Sequence, residues 1–365
     1  MAQLNDIIRA LESLAPPSLQ ESYDNAGLIT GSPDQEITGI LVCLDAVEEV
    51  IDEAIAKQCN LIVAHHPIIF SGLKKITGRN YVERVIIKAI RHHIAIYAIH
   101  TNLDNVYEGV NHRFAEQLGL QKTRILTPMK GKLRKLVTYV PQEQAETVRA
   151  ALCDAGAGQI GAYSDCSFLS AGTGTFKAGH NTNPFVGEIG EIHREPEIRI
   201  ETIYPHWKER EILTALRASH PYEEIAYDIY TLENQLQSIG AGLIGELPLP
   251  MNTEAFLDQL KTVMNVRMIR HTALIKKEIK TIALCGGAGS FLLHDAIAAG
   301  ADIFISADFK YHQFFDADHR ILIADIGHFE TEQFTINLLT GYLSQKFTTF
   351  AVRLTETNTN PIYYR

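Results

Sequence analysis

The sequence has little that would build a disulfide scaffold, a membrane anchor or a nucleic-acid binder. Only five of its 365 residues are cysteine. Cys43, Cys59, Cys153, Cys166 and Cys285 are scattered, odd in number and never spaced C-x-x-C, which indicates neither a disulfide framework nor a zinc ribbon. Cys43 and Cys285 sit inside apolar runs, the ordinary place for a buried free thiol, so a reducing, cytoplasmic compartment is expected. No apolar run approaches the roughly 20 residues needed to span a bilayer. An excess of positive charge is also missing, since 33 Lys and Arg stand against 43 Asp and Glu, a net charge of -10. That balance gives no general attraction for phosphate backbones or anionic lipid, so neither a membrane nor a nucleic acid is expected as partner, a local basic groove aside. Low-complexity tracts and short-period repeats are absent.

What remains is a globular composition, 46% hydrophobic and 21% charged, on a chain long enough for two domains or more. At the N-terminus Leu4, Ile7, Ile8, Leu11 and Leu14 repeat at helical spacing with Asp6, Arg9 and Glu12 opposite, the pattern of an amphipathic helix and not of a signal peptide. Residues 39–44, 61–64 and 94–99 are apolar throughout and alternate with helical stretches near 47–57 and 81–92. Runs without alternation suit parallel strands covered on both faces. The same grammar returns at 281–285, 303–306 and 321–324, with a helical stretch at 290–299. The two stretches read as parts of one sheet.

Between them the texture changes. Residues 133–140 and 197–204 alternate, 142–154 and 207–219 are helical, and 163–176 and 225–230 are strand-like, which spells β-α-β-β-α-β, the ferredoxin-like order. A Gly- and Asn-rich loop at 178–190 interrupts it. The expected organisation is an α/β main domain with a largely parallel sheet flanked by helices, formed by residues 1–128 and 238–365, with residues 129–237 inserted as a ferredoxin-like domain.

In open parallel sheets ligands bind beyond the carboxyl ends of the strands. Each apolar run here ends in polar chemistry: Asp45 after the first, His65-His66-Pro67 after the second, His100, Asn102 and Asp104 after the third. The later runs lead to Gly286-Gly287-Ala288-Gly289-Ser290, to Asp308, Lys310 and His312, and to Asp325, His328 and Glu332. Imidazole and carboxylate without thiolate suit Zn, Fe, Mn, Co or Ni without choosing among them. Neighbouring histidines on an extended strand point to opposite faces, so Pro67 must bend the chain if His65 and His66 are to share a site. His328 and Glu332 share a face if a helix starts near Gly327. Five or six ligands exceed the needs of one tetrahedral ion, and two ions sharing a carboxylate fit better. The plain alternative is that strand-end histidines are packed or hydrogen-bonded. His92-His93 precedes its strand and reads as surface, and His271, His294 and His312 carry no signal of their own. The glycine loop reads first as a tight turn, although its N–H groups could cradle phosphate.

Taken together, these residues resemble the NIF-three-like dinuclear metal-centre proteins, also labelled GTP cyclohydrolase I type 2 homologues. The likeness rests on Ser22-Tyr23-Asp24-Asn25-Ala26-Gly27-Leu28, Ala64-His65-His66-Pro67 and His100-Thr101-Asn102-Leu103-Asp104 in the first half. In the second half it rests on the glycine loop, Asp308-Phe309-Lys310-Tyr311-His312 and Gly327-His328-Phe329-Glu330-Thr331-Glu332. It covers essentially the whole main domain, in order; Tyr23 and Ala26 stand where many relatives carry Trp and Val. The resemblance implies two divalent transition-metal ions per chain on His65, His66, Asp104, His328 and Glu332, with His100 as a further ligand or a donor behind them. It also implies that the insert is similar to PII-like or CutA-like domains, as its 187–191 loop and 220–224 segment suggest, and that the chains form a toroidal hexamer. The activity implied is a metal-dependent hydrolase acting on a nucleotide or related small molecule, GTP being the label the family carries, in which Ser290, Lys310 and His312 could contact an anionic substrate. The alternative is a non-catalytic metal-binding ring for storage, sensing or scaffolding.

Overall fold

The computed structural model describes residues 2–365. Its chain divides into two compact units, Met1–Pro128 with Ser238–Arg365, and Met129–Gln237. The first unit begins with α1 (Leu4–Leu14), which buries Leu4, Ile7 and Leu11, the apolar stripe its spacing announces. Then come β1 (Gly27–Thr30), β2 (Gly39–Cys43), α2 (Glu48–Ala56), β3 (Leu61–Ala64), α3 (Tyr81–Arg91) and β4 (Ala95–Ala98). Every residue of β2, β3 and β4 is buried, as expected of parallel strands packed on both faces. A single helical turn, α4 (Thr101–Asp104), leads to α5 (Val110–Gln117) and β5 (Gln121–Met129).

The second unit runs β6 (Leu133–Pro141), α6 (Ala145–Asp154), β7 (Ser167–Lys177), β8 (Ile192–Pro205), α7 (Glu209–Ser219) and β9 (Tyr227–Leu232). Its sheet order is β7-β8-β6-β9 with every pair antiparallel, the ferredoxin-like topology. Alternation in β8 buries Ile200, Thr202 and Tyr204 against α6 and α7, whose Val148, Leu152, Ile212 and Leu216 complete the core.

The chain returns to the first unit through β10 (Leu236–Asn252), which lies beside β5 in one sheet. After it come α8 (Thr253–Val263), β11 (Arg270–His271), β12 (Glu278–Ala288), α9 (Leu293–Ala298), β13 (Ile303–Ala307), β14 (Leu322–Asp325), α10 (His328–Glu332), α11 (Thr335–Lys346) and β15 (Ala351–Leu354).

The single sheet expected for this unit is two. One has the order β1-β4-β3-β2-β15 and the other β11-β14-β13-β12-β10-β5. Each contains a parallel trio, β4-β3-β2 or β14-β13-β12. Both trios are already flanked: antiparallel β1 and parallel β15 border the first, antiparallel β11 and β10 the second. With both edges of each trio paired, the two trios have no edge to offer each other directly. Each sheet has its own apolar cluster, the first around Leu41, Ile62 and Ile96, the second around Ile282, Ile305 and Leu322. Among the described residues no helix is long and apolar enough to cross a membrane.

Candidate metal centre

The polar ends of the two parallel trios meet. His65 and His66 continue β3 beyond Ala64, because their N–H groups still donate to Cys43 O and Leu44 O at 3.1 and 2.9 Å. Their rings nevertheless converge, with centroids 4.8 Å apart. The His100 ring stands edge-on to both, at 5.4 and 5.3 Å, and the His328 ring lies 5.2 Å from that of His66.

Each ring is held from behind by its Nδ1. His65 Nδ1 lies 2.8 Å from Ile99 O, an acceptor only, so this nitrogen carries a proton and Nε2 is the nitrogen turned to the cluster. His66 Nδ1 is 2.8 Å from Asp45 Oδ1, His100 Nδ1 2.8 Å from Asp24 Oδ1, and His328 Nδ1 2.7 Å from Asp308 Oδ2. This arrangement, in which an acceptor fixes one ring nitrogen and frees the other, is how metal-ligating histidines are oriented. Asp24, Asp45 and Asp308 were not assigned roles from the sequence. Asp24 is itself clamped, with Oδ2 accepting from Thr101 N at 3.1 Å and Thr101 Oγ1 at 2.5 Å. Asp308 adopts φ 58°, a left-handed conformation that Asp tolerates better than most residues.

Two carboxylates face the rings. Glu332 ends α10, one turn after His328, and is 3% exposed. Its Oε2 lies 2.9 Å from His66 Nε2 and 3.2 Å from His328 Nε2, and its Oε1 lies 3.9 Å from His65 Nε2. Asp104, at the end of α4, brings Oδ1 to 3.6 Å from His65 Nε2. Among the described residues, His65 Nε2 and Asp104 Oδ1 are buried and make no hydrogen bond. A buried polar atom without a partner costs about 1–3 kcal/mol, so two that face each other beside Glu332 ask for something to bind there. Donor atoms of His65, His66 and Glu332 lie within 4.8 Å of one another, a group that could hold a metal ion.

The charges agree. Burial and the neighbouring Glu332 push Asp104 up, whereas Glu332, despite its own burial, is held well below the usual carboxylate range by His66 and His328. Burial pulls His66 and His328 down, but Glu332 together with Asp45 or Asp308 overrides it and raises them to about 10 and about 11. Without a cation, then, protons on two imidazoles stand in for the positive charge the carboxylates require.

The glycine loop belongs to this centre as packing. Gly287 has φ +62°, and a Cβ there would meet Glu332 Oε1 at 2.5 Å and His328 Cε1 at 3.2 Å. Its N–H donates to Thr331 Oγ1 and that of Gly286 to Asn111 Oδ1, both at 2.9 Å, so neither is available to a phosphate. A cavity of about 640 Å3 opens over the cluster, lined by His66, His100, Asp104, His328 and Glu332 together with Tyr23, Phe70 and Phe291. Ser290, Lys310 and His312 do not line it. Ser290 Oγ accepts from Gln313 Nε2 at 2.9 Å, while Lys310 and His312 are exposed. His92, His93, His271 and His294 are exposed as well.

The chain is similar to known proteins over nearly its whole length. The curated relatives include "GTP cyclohydrolase 1 type 2 homolog" of Bacillus subtilis, 39% identical over 363 residues and covering 98% of this chain and 97% of its own. The protein of the same name from Halalkalibacterium halodurans is 41% identical over 324 residues, covering 88% and 87%. Among solved structures, a Bacillus cereus protein related to NIF3 superposes with a TM-score of 0.88 at 37% identity, over 100% of this chain and 99% of that one. The model of the Duf34/NIF3 (NGG1p interacting factor 3) family matches residues 2–361, and the chain belongs to that family.

Proposed function

We propose that His65, His66, Asp104, His328 and Glu332 bind two divalent transition-metal ions. The observation that carries this is the convergence of two unpartnered buried donor atoms, His65 Nε2 and Asp104 Oδ1, with the buried Glu332 carboxylate that faces His65, His66 and His328. Glu332 faces His65 with one oxygen and His66 and His328 with the other, the disposition of a bridging carboxylate. Mixed imidazole and carboxylate donors accept Zn, Fe, Mn, Co or Ni. Elemental analysis of protein prepared without chelator should give about two such ions per chain, on the two-metal logic. One ion or none after reloading would refute it.

The working reading is a metal-dependent hydrolase acting on a small molecule, nucleotides being the class its relatives' name suggests. Bound ions would lower the pKa of water and polarise the attacked carbon or phosphorus. The chain's own part is to orient the imidazoles through Asp24, Asp45 and Asp308, and to shield the centre with Phe70 and Phe291. A non-catalytic ring for metal storage, sensing or scaffolding is the alternative. Turnover of a nucleotide and nucleoside panel by metal-loaded protein separates the two, since absence of turnover across the panel leaves only the second.

Every proposed ligand lies outside Met129–Gln237, and the strands that leave and return, β5 and β10, are neighbours. Replacing residues 129–237 by a short Gly/Ser bridge should therefore leave metal content unchanged and alter assembly or access. Light scattering on the same sample reports the mass, for which the proposal is a hexamer in the full-length protein. A folded deletion protein without metal would overturn this division of labour.

A further inference from the structure

The walls of the cavity carry a charge pattern that the nucleotide reading does not anticipate. Among the described residues they include Glu21, Asp45, Asp104 and Glu332, and neither lysine nor arginine. Its rim is apolar and largely ring-shaped: Tyr23 is 70% exposed, Phe70 56%, Phe291 66% and Ile362 52%. Phe70 meets the His100 ring edge-on at 5.8 Å, so the aromatic wall begins beside the imidazole cluster. Large apolar side chains left open around a concave polar centre mark a place where a ligand is meant to cover them.

We infer that this cavity takes an uncharged planar ring compound, of nucleobase or nucleoside kind, in preference to a nucleoside triphosphate. The inference rests on the proposed metal centre as the working site and narrows its substrate class. A triphosphate brings about four negative charges and needs lysine, arginine or free backbone N–H groups to receive them. The two loop glycines that line the cavity offer no free N–H, since Gly286 donates to Asn111 and Gly287 to Thr331. The positive charge of two divalent ions is offset by Asp24, Asp45, Asp104, Asp308 and Glu332, which leaves no surplus for a polyphosphate. Rings, by contrast, stack on Phe, Tyr and Trp whatever their sequence of substituents, and the rim supplies such faces.

The test is calorimetric titration of full-length, metal-loaded protein with guanosine and, separately, with magnesium-saturated guanosine triphosphate. Guanosine should bind at least about tenfold more tightly, and Phe291→Ala should weaken it by about tenfold with metal content unchanged. Phe70→Ala serves as the second variant if Phe291→Ala does not fold. Triphosphate binding as tight as guanosine, no binding of either, or an aromatic variant that binds guanosine like the parent would each overturn the inference. Metal analysis of the same samples keeps the two readings apart. Guanosine binding by protein that never takes up metal would sink the metal centre alone, while full metal loading without ring binding would sink the inference alone.

Discussion

Glu332→Ala is expected to strip the centre of both ions, lowering affinity by about a hundredfold or more. Removing a group that merely orients a ligand costs about 10–100-fold, and a carboxylate that faces both halves of the cluster must cost at least that. Its Oε2 is within 3.2 Å of both His66 Nε2 and His328 Nε2, and its Oε1 within 3.9 Å of His65 Nε2, so no other side chain replaces it. Asp104→Ala removes only the oxygen near His65 and should cost chiefly one ion. His312→Ala should cost none, because that ring is exposed and outside the cavity. Inductively coupled plasma analysis of the three variants, each checked for folding by circular dichroism, gives the ranking. Equal metal loss in all three would show that the donor assignment is wrong.

Why the side chains that converge were legible in the sequence and their supports were not follows from the range of the interactions. His65, His66 and Asp104 follow strands whose uninterrupted apolar runs announce them, and His328 with Glu332 shows helical spacing after Gly327. These are local patterns. The carboxylates that orient the rings are not: Asp24 reaches His100 across 76 residues, Asp45 reaches His66 across 21, and Asp308 reaches His328 across 20. No periodicity encodes such a pairing. The split into two sheets was hidden for the same reason, since β15 near the end of the chain pairs with β2 near its beginning. Ser290, Lys310 and His312 suggested anion contacts by residue type alone, and the turns that carry them direct Ser290 to Gln313 and leave the other two exposed. The insert, whose strands alternate and whose helices are short and regular, was legible as β-α-β-β-α-β because its topology follows chain order.

Metal affinity should rise steeply with pH, and the stability of the ion-free protein should move the other way. In the ion-free centre His66 and His328 hold protons up to about pH 10 and about pH 11, because Glu332 with Asp45 or Asp308 outweighs the cost of burial. A metal ion must displace the Nε2 proton from each ring, since Nδ1 keeps its hydrogen bond to Asp45 or Asp308. Each displaced proton contributes about tenfold per pH unit, so the overall constant for loading both ions should gain about a hundredfold per unit above pH 7, and more below it, where Asp104, raised to about 7, holds a further proton. Competition with a chelator of known pH dependence, at pH 6, 7 and 8, reads this slope; a flat profile would mean that the rings are already neutral in the ion-free protein. Stability has the opposite sign. Both pKa values lie above the ordinary histidine value near 6.5, so the stabilisation they supply is complete below about pH 6.5 and is lost as pH climbs through about 10 and about 11. Thermal unfolding of chelator-treated protein should therefore shift to lower temperature from pH 7 to pH 10. The metal-loaded protein should not share that loss, because its imidazoles are already deprotonated on Nε2 and its carboxylates face cations at every pH in the range. Parallel pH profiles for the two forms would show that the protons reside elsewhere.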